Sequence, residues 1–284
     1  MKGLHVLMTG ATNGIGLAAA EALAALGANL TLVGRSTTRL RIAAARALAA
    51  GGGQAKVDTL SADLSSQAAV RRLAAEVLTR LPRLDVLVNN AGAMYTRRQI
   101  AADGVELTWA VNHLAPYLLT TLLLDRLKAS APARIITTAS DAHRGTGIRF
   151  DDINAERSYK GFVRYGQTKL ANILFTTELA QRLQGSGVTA NCYHPGFVAT
   201  GFNRNNGVLM DFAMTALKPL ARSPQKGAET LVWLAASPDV AATSGGYFYD
   251  KRPKTPSPAA QDMETARRLW QLSVEQVKRS AAAA

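Results

Sequence analysis

Tyr165 and Lys169 stand four positions apart in the segment VRYGQTKLANIL, whose apolar spacing is that of a helix. On a helix, side chains at i and i+4 share a face, so the phenol and the ammonium point the same way. A phenol ionises near pH 10 and is a poor base near neutrality. An ammonium about 5 Å away, at an effective dielectric near 20, contributes roughly 3 kcal/mol, or about two pKa units, toward its ionisation. The pair therefore reads as a general acid–base drawn toward the working pH. Tyr159 is the rival phenol, but Val163 stands four residues on and supplies no charge.

A second chemical signal is TGATNGIG, in which Gly10, Gly14 and Gly16 are spaced G-x3-G-x-G, with Asn13 and Ile15 between them. Gly10 permits a tight turn, Gly14 lets a pyrophosphate approach the backbone, and Gly16 allows the helix to pack close to the strand. The free N–H groups of the helix N-terminus then face the anion. The alternative is an ordinary glycine-rich turn. The next strand ends at Gly34, followed by Arg35. An NAD site wants a carboxylate here for the ribose 2′-hydroxyl, and none is present. A guanidinium suits a 2′-phosphate, assisted by Ser36 and Arg39, so NADP(H) is expected over NAD(H). The alternative is that Arg35 is a solvated loop residue. Asp63, followed by Leu64, could accept a hydrogen bond from an adenine amino group. In NNAG, residues Asn89 to Gly92, the small Ala91 and Gly92 let backbone lie flat against a cofactor. The side chains of Asn89 and Asn90 can tie strand ends together.

These residues need a scaffold that brings them to one edge. LHVLMT, ANLTLVG, KVDTLSA, LDVLVN, ARIITTA and VTANCYH read as buried strands, short, mostly apolar and bounded by turn residues. Between them lie helical patterns such as GIGLAAAEALAALG, which stops at Gly27. The expected fold is α/β: a single doubly wound Rossmann-type domain over residues 1–280, with a parallel sheet of about seven strands and helices on both faces. Right-handed crossovers place the strand C-termini along one edge, where ligands bind. Residues 281–284 read as a frayed tail. Two long connections should build a substrate pocket, 141–164 and 201–224. In the second, Val208, Leu209, Met210, Phe212, Met214 and Leu217 suggest an apolar lid and hence a lipophilic aldehyde, ketone or alcohol. Equally, these residues could simply pack on the body.

Composition sets the outer bounds. The chain has 284 residues and a formal charge of +13, but its basic residues are scattered, with no dense run interleaved with aromatics. Nucleic acid is therefore not expected as a partner. No apolar run reaches the roughly 18 residues of a membrane span, and the apolar part of MKGLHVLMTG is too short for a signal peptide. The lone Cys192 excludes an internal disulfide, argues against a metal cluster, and reads as a buried inert thiol. The expected compartment is the cytoplasm. The expected partner is a small carbonyl or alcohol, with self-association left open.

Taken in order along the chain, TGATNGIG, Asp63-Leu64, NNAG, Asn112 in AVNHLAPYLLT, Ser140, Tyr165-x3-Lys169 and HPGFVAT resemble the short-chain dehydrogenase/reductase family. GQTKLANILFTTELAQRL, GVTANCYHPGFVATGF and YFYDKRPKTPSPAAQD resemble its retinol-dehydrogenase-like group. Membrane-bound members of that group carry an N-terminal anchor that is not expected here. The resemblance implies hydride transfer between NADP(H) and a carbonyl or alcohol. Tyr165 would be the acid–base, Ser140 would hold the substrate oxygen, and Lys169 would bond the nicotinamide ribose. Asn112 would extend a water relay from Lys169. Family members often carry a second Ser before the catalytic one, whereas this chain has Ala139, with Thr138 on the same strand face. Pro195, Val198 and Thr200 would reach the nicotinamide amide and phosphates. His143 and His194 are expected to be structural, since Tyr165 fills their role. A cofactor-binding regulator without turnover is the competing class, and such a protein would be expected to lose Tyr165 or Lys169.

Overall fold

Successive residues of β1 (His5–Thr9) are buried on opposite sides: Val6 and Met8 enter one apolar cluster and Leu7 the other. The same alternation recurs in β2 (Asn29–Gly34), β4 (Val86–Asn89) and β5 (Ala133–Thr138). Strands covered on both faces read as continuous apolar runs, which is why they stand out in the sequence. This computed structural model describes residues 1–198 and 221–282, with side chains through residue 278. Of the expected lid over 201–224, residues 201–220 lie outside the described residues, as do Thr200 and residues 283–284.

The sheet also includes β3 (Val57–Ser61), β6 (Val188–Tyr193), β7 (Tyr247–Tyr249) and β8 (Arg252–Pro253). Its order is β3-β2-β1-β4-β5-β6-β7-β8, parallel through β7. The chain thus runs outward from β1 in both directions, and a crevice opens beyond the carboxyl ends of β1 and β4. The fold is the expected Rossmann type, with one strand more than the sequence suggests. That strand is antiparallel to β7 across the two-residue turn Asp250–Lys251, whose φ angles are +48° and +59°. Such turns usually carry Asn or Gly, and the strand ends in proline, so no sequence signal announces it.

One face is covered by α1 (Gly14–Ala25), α2 (Thr37–Ala50) and α6 (Pro224–Ala236), and the other by α3 (Gln67–Arg80), α4 (Leu107–Ala129), α5 (Gly161–Arg182) and α7 (Met263–Ala282). By length and composition α4 could cross a membrane, which corrects the reading that no run of that kind is present. It is apolar because it is a central core helix: Tyr117, Leu118, Leu119, Leu123 and Leu127 are all buried. Helix α7 runs through Ala282, so helix persists into the first two residues of the stretch expected to fray. It seats Trp270 flat on Phe175, with ring centroids 5.9 Å apart, and places Ser273 Oγ 2.9 Å from His113 Nε2.

The starts of α4 and α5 are joined by a buried ion pair. Glu106 caps α4 by accepting from the N–H groups of Thr108 and Trp109 at 2.9 and 3.0 Å. Arg164, in the first turn of α5, donates to Glu106 Oε2 at 2.7 Å and to the Ile153 carbonyl at 2.6 Å, and its guanidinium lies over Trp109. Neither side chain of the pair is more than 3 % exposed. Removing one partner strands a buried charge, so Arg164→Met should cost about 3–5 kcal/mol of unfolding free energy in urea titrations. A loss below about 1 kcal/mol, as for a surface ion pair, would contradict this assignment.

Candidate active site

A cavity of about 990 Å³ opens along the carboxyl edge of the sheet, from the loop after β1 to the start of α5. At one end it is lined by Gly10, Asn13, Ile15 and Gly16, and further along by Arg35, Ser36, Asp63 and Leu64. Asn90, Ala91 and Gly92 line its middle, and Ser140, Tyr165, Lys169, Pro195 and Val198 its far end. Gly14 and Asn112 do not line it, for different reasons. Gly14 is the first residue of α1. Asn112 is fully buried behind the wall.

The glycine turn is shaped by close approach. Gly10 has φ +68°, and a Cβ on Gly16 would fall 2.1 Å from the Gly10 carbonyl oxygen. Helix α1 has no side-chain cap at Asn13 and no acidic residue in its first turn. Its leading N–H groups are thus not claimed by a carboxylate or cap, as an anion site requires. The strand ends beside it are knotted. Thr9 Oγ1 accepts from the N–H groups of Asn90 and Ala91, both at 3.1 Å. Asn90 Nδ2 donates to the Thr9 and Gly10 carbonyls at 3.2 Å, and Asn90 Oδ1 accepts from Thr138 Oγ1 at 3.2 Å. Asn89 Nδ2 donates to Thr120 Oγ1 at 2.9 Å. Asn90 therefore ties the ends of β1, β4 and β5 together, as expected, whereas Asn89 ties the end of β4 to helix α4 instead.

These residues fit a dinucleotide. Gly10 and Gly16 let the turn close against its own backbone and that of Ala91, which brings the uncapped start of α1 to the cavity, and Arg35 sits exposed at the carboxyl end of β2. Arg35 also hydrogen-bonds the hydroxyl of Tyr95, a buried residue that lines the cavity. Burial raises that phenol's pKa, with the Arg35 charge opposing the rise. The sequence gives no signal for Tyr95, since only tertiary packing brings it to Arg35. Asp63 accepts from the Ser65 N–H and hydroxyl at 3.0 and 2.9 Å, so its carboxylate serves the local turn while facing the cavity.

At the far end, Lys169 Nζ lies 5.4 Å from the Tyr165 ring centroid and donates to the Thr138 carbonyl at 2.9 Å. Ser140 is hydrogen-bonded to Tyr165. Ser140 Oγ accepts from the Ala142 N–H at 3.2 Å, which leaves its own O–H to donate, to the Tyr165 hydroxyl or to an oxygen beside it in the cavity. Asn112 belongs to a π-helical turn, Ala110–Leu114, inside α4. Its side chain exchanges hydrogen bonds with the Ala93 N–H and carbonyl, both at 2.8 Å, and donates to Thr168 Oγ1 at 3.0 Å. The amide is thus spent on holding the strand-end loop to α5, which leaves the main chain of the π turn for any relay.

The electrostatics differ from the simple pairing argument. Burial pushes the Tyr165 phenol above its ordinary range, opposed by the Ser140 hydrogen bond, and lowers Lys169 to about 8. Both groups lose water on burial, and that loss sets the direction of both shifts. The histidines are bound into the scaffold. His194 Nδ1 accepts from the N–H groups of Asp141 and Gly196 at 3.3 and 3.4 Å, and burial lowers its pKa to about 4. Burial likewise pushes the Cys192 thiol up to about 12.

With this geometry in view, the chain matches the family model described as short chain dehydrogenase over residues 4–208. The protein belongs to that family, and it is an oxidoreductase of its nicotinamide-dependent class. It is 42% identical over 276 residues to Retinol dehydrogenase 13 of Homo sapiens, covering 95% of this chain and 83% of that one. It is equally 42% identical over 287 residues to Retinol dehydrogenase 14 of Mus musculus, covering 96% and 85%. Among solved structures it resembles the Pseudomonas aeruginosa RhlG/NADP active-site complex, with a TM-score of 0.70, 28% identity, and coverage of 87% of this chain and 94% of that one.

The lowered Lys169 pKa has a consequence for stability. Between about pH 8 and the ordinary lysine range near 10.4, the unfolded chain holds a proton that the folded chain has lost. Unfolding free energy should therefore rise with pH across that window in the unliganded protein. Subtracting the curve of Lys169→Met from that of wild type should isolate the rise. A difference that is flat from pH 8 to 10 would show that Lys169 titrates as a solvated amine.

Proposed function

We propose that this protein is an NADP(H)-dependent oxidoreductase that interconverts a carbonyl and an alcohol by direct hydride transfer. The observation that carries the reading is one continuous cavity joining the glycine turn and Arg35 to Ser140, Tyr165 and Lys169. A bound nicotinamide nucleotide supplies the hydride chemistry. Gly10, Gly16 and the N–H groups that open α1 after Gly14 would hold its pyrophosphate, Arg35 and Ser36 its 2′-phosphate, and Lys169 its nicotinamide ribose, with Pro195 and Val198 available to the nicotinamide end. Tyr165 gives a proton to the carbonyl oxygen in reduction and takes it back in oxidation, and Ser140 orients that oxygen by hydrogen bonding. Lys169 carries the positive charge that favours the phenolate, and the main chain of the π turn at Asn112 would extend a proton relay from it.

The substrate is a lipophilic carbonyl or alcohol. Met94, Phe162 and Phe197 line the cavity beyond the reacting groups, and relatives at 42% identity are named for retinol. The pocket of this chain is nevertheless its own, so the substrate class is set at lipophilic rather than at retinoids.

Two variants test this reading. Tyr165→Phe should lower carbonyl-dependent NADPH oxidation by at least about a hundredfold with NADPH affinity nearly unchanged. Persistence of turnover would remove Tyr165 from the chemistry. Arg35→Glu should weaken NADPH binding by about tenfold or more relative to NADH, measured by fluorescence titration with both nucleotides. Equal losses for the two would remove the basis for NADP(H).

A further inference from the structure

The turn that carries Ser140 is clamped from behind by groups outside the reacting set. The Ser140 carbonyl accepts from His143 Nδ1 at 2.7 Å and from the His143 main-chain N–H at 3.2 Å. On the other side of the ring, the Ser257 N–H donates to His143 Nε2 at 3.0 Å. A main-chain N–H can only donate, so Nε2 is the bare nitrogen. The proton sits on Nδ1, aimed at the Ser140 carbonyl. The ring is fully buried, with its edge toward Tyr247 at 5.4 Å between centroids.

The neighbouring residues are pinned to the same segment. Asp141 accepts from the Tyr247 hydroxyl at 2.9 Å and pairs with Lys254. Arg144 donates to the Thr255 carbonyl at 2.7 Å and lies 3.4 Å from Asp141 Oδ1. Residues 247–257 thus form a strap along the back of the turn. On its front, α5 presses close: a Cβ on Gly166, next to Tyr165, would fall 2.3 Å from the Ala142 carbonyl oxygen. The Ser140–His143 turn is therefore wedged between the helix of Tyr165 and the strap.

We propose that His143, as its neutral Nδ1–H tautomer, is a positioning residue that locks the Ser140 main chain against the strap and so fixes the reach of the Ser140 hydroxyl to Tyr165 and the substrate oxygen. The proposal rests on the roles given to Ser140 and Tyr165 above. His143 touches neither substrate nor cofactor; it acts through Ser140. The charged and titratable groups around its ring are Asp141, Arg144, Lys254, Tyr247 and His194, and a second ring proton would meet the Ser257 N–H head-on.

The test compares full-length His143→Leu, His143→Asn and His143→Gln with wild type, Ser140→Ala and Tyr165→Phe. The readouts are kcat and KM for a turned-over carbonyl, NADPH affinity by fluorescence, melting temperature, and the pH profile of kcat. Asn keeps an N–H donor for the Ser140 carbonyl, whereas Gln reaches toward Ser257 instead. His143→Leu and His143→Gln should lower kcat by about tenfold to a hundredfold, with NADPH affinity within about twofold of wild type. They should also move the phenol's limb of the profile upward in pH, toward the Ser140→Ala profile, because the Ser140 hydrogen bond is what opposes the rise in the phenol's pKa. His143→Asn should recover most of kcat and the wild-type limb. If His143→Leu does not fold, the contrast between Asn and Gln decides. Equal kcat and an unmoved limb in Asn and Gln would overturn the proposal, as would losses that follow only the folded fraction. Turnover by Tyr165→Phe would instead sink the reading on which it rests, whatever the His143 variants do.

Discussion

An ammonium held out of water against the last carbonyl of β5 sets the geometry of this protein's reactive end. Lys169 Nζ donates to the Thr138 carbonyl at 2.9 Å, and the lysine is 2 % exposed. That bond fixes α5 to the strand whose next turn carries Ser140, so Tyr165 and Ser140 face each other across a short gap. Burial of the ammonium is costly, which is seen in its lowered pKa. A cost of this kind persists where function needs a charge in a dry place. The phenol is enclosed in the same way and pushed upward. The two groups are thus enclosed together, and an added positive charge in the cavity would act on both.

The rest of the cleft is organised to keep that pair in register with a nucleotide. Thr9, Asn90 and Thr138 link the ends of β1, β4 and β5 through side chains. The hydroxyl of buried Tyr193 at the end of β6 lies 3.2 Å from Thr138 Oγ1 and donates to it, since the single Thr138 proton goes to Asn90. A continuous polar seam therefore runs along the carboxyl edge, just beneath the cavity. Buried polar networks of this type are stable only when satisfied throughout, and they fix one arrangement of strand ends. The ion pair of Glu106 and Arg164 does the same for the two helices that bring Asn112 and Tyr165 to the cleft.

Much of this was legible in the sequence because it obeys local rules. The i and i+4 spacing of Tyr165 and Lys169, the glycine turn after an apolar strand, and the strand–helix alternation each follow from backbone geometry alone. The features that escaped depend on residues far apart in the chain. Tyr95 meets Arg35 across the cavity, and Arg164 meets Glu106 across 58 positions. Helix α4 carries its polar Asn112 and His113 on a π turn, which no local spacing announces. The sign of the Tyr165 shift was also out of reach, because pair distance can be read from spacing while desolvation cannot. His143 and His194 were rightly expected to serve the scaffold, but what they hold could be seen only once β7 and the strap were in place.

The central claim is that the Lys169 charge governs ionisation of the Tyr165 phenol once a nicotinamide nucleotide is bound. The most direct measurement is a titration of Tyr165 carrying 13C at Cζ, followed by NMR in wild type and Lys169→Met, with and without NADP⁺. The phenol should remain protonated above its ordinary range in both unliganded proteins. With NADP⁺ it should fall well below about 10 in wild type and stay high in Lys169→Met. Superimposable titrations of the two liganded proteins would contradict the account.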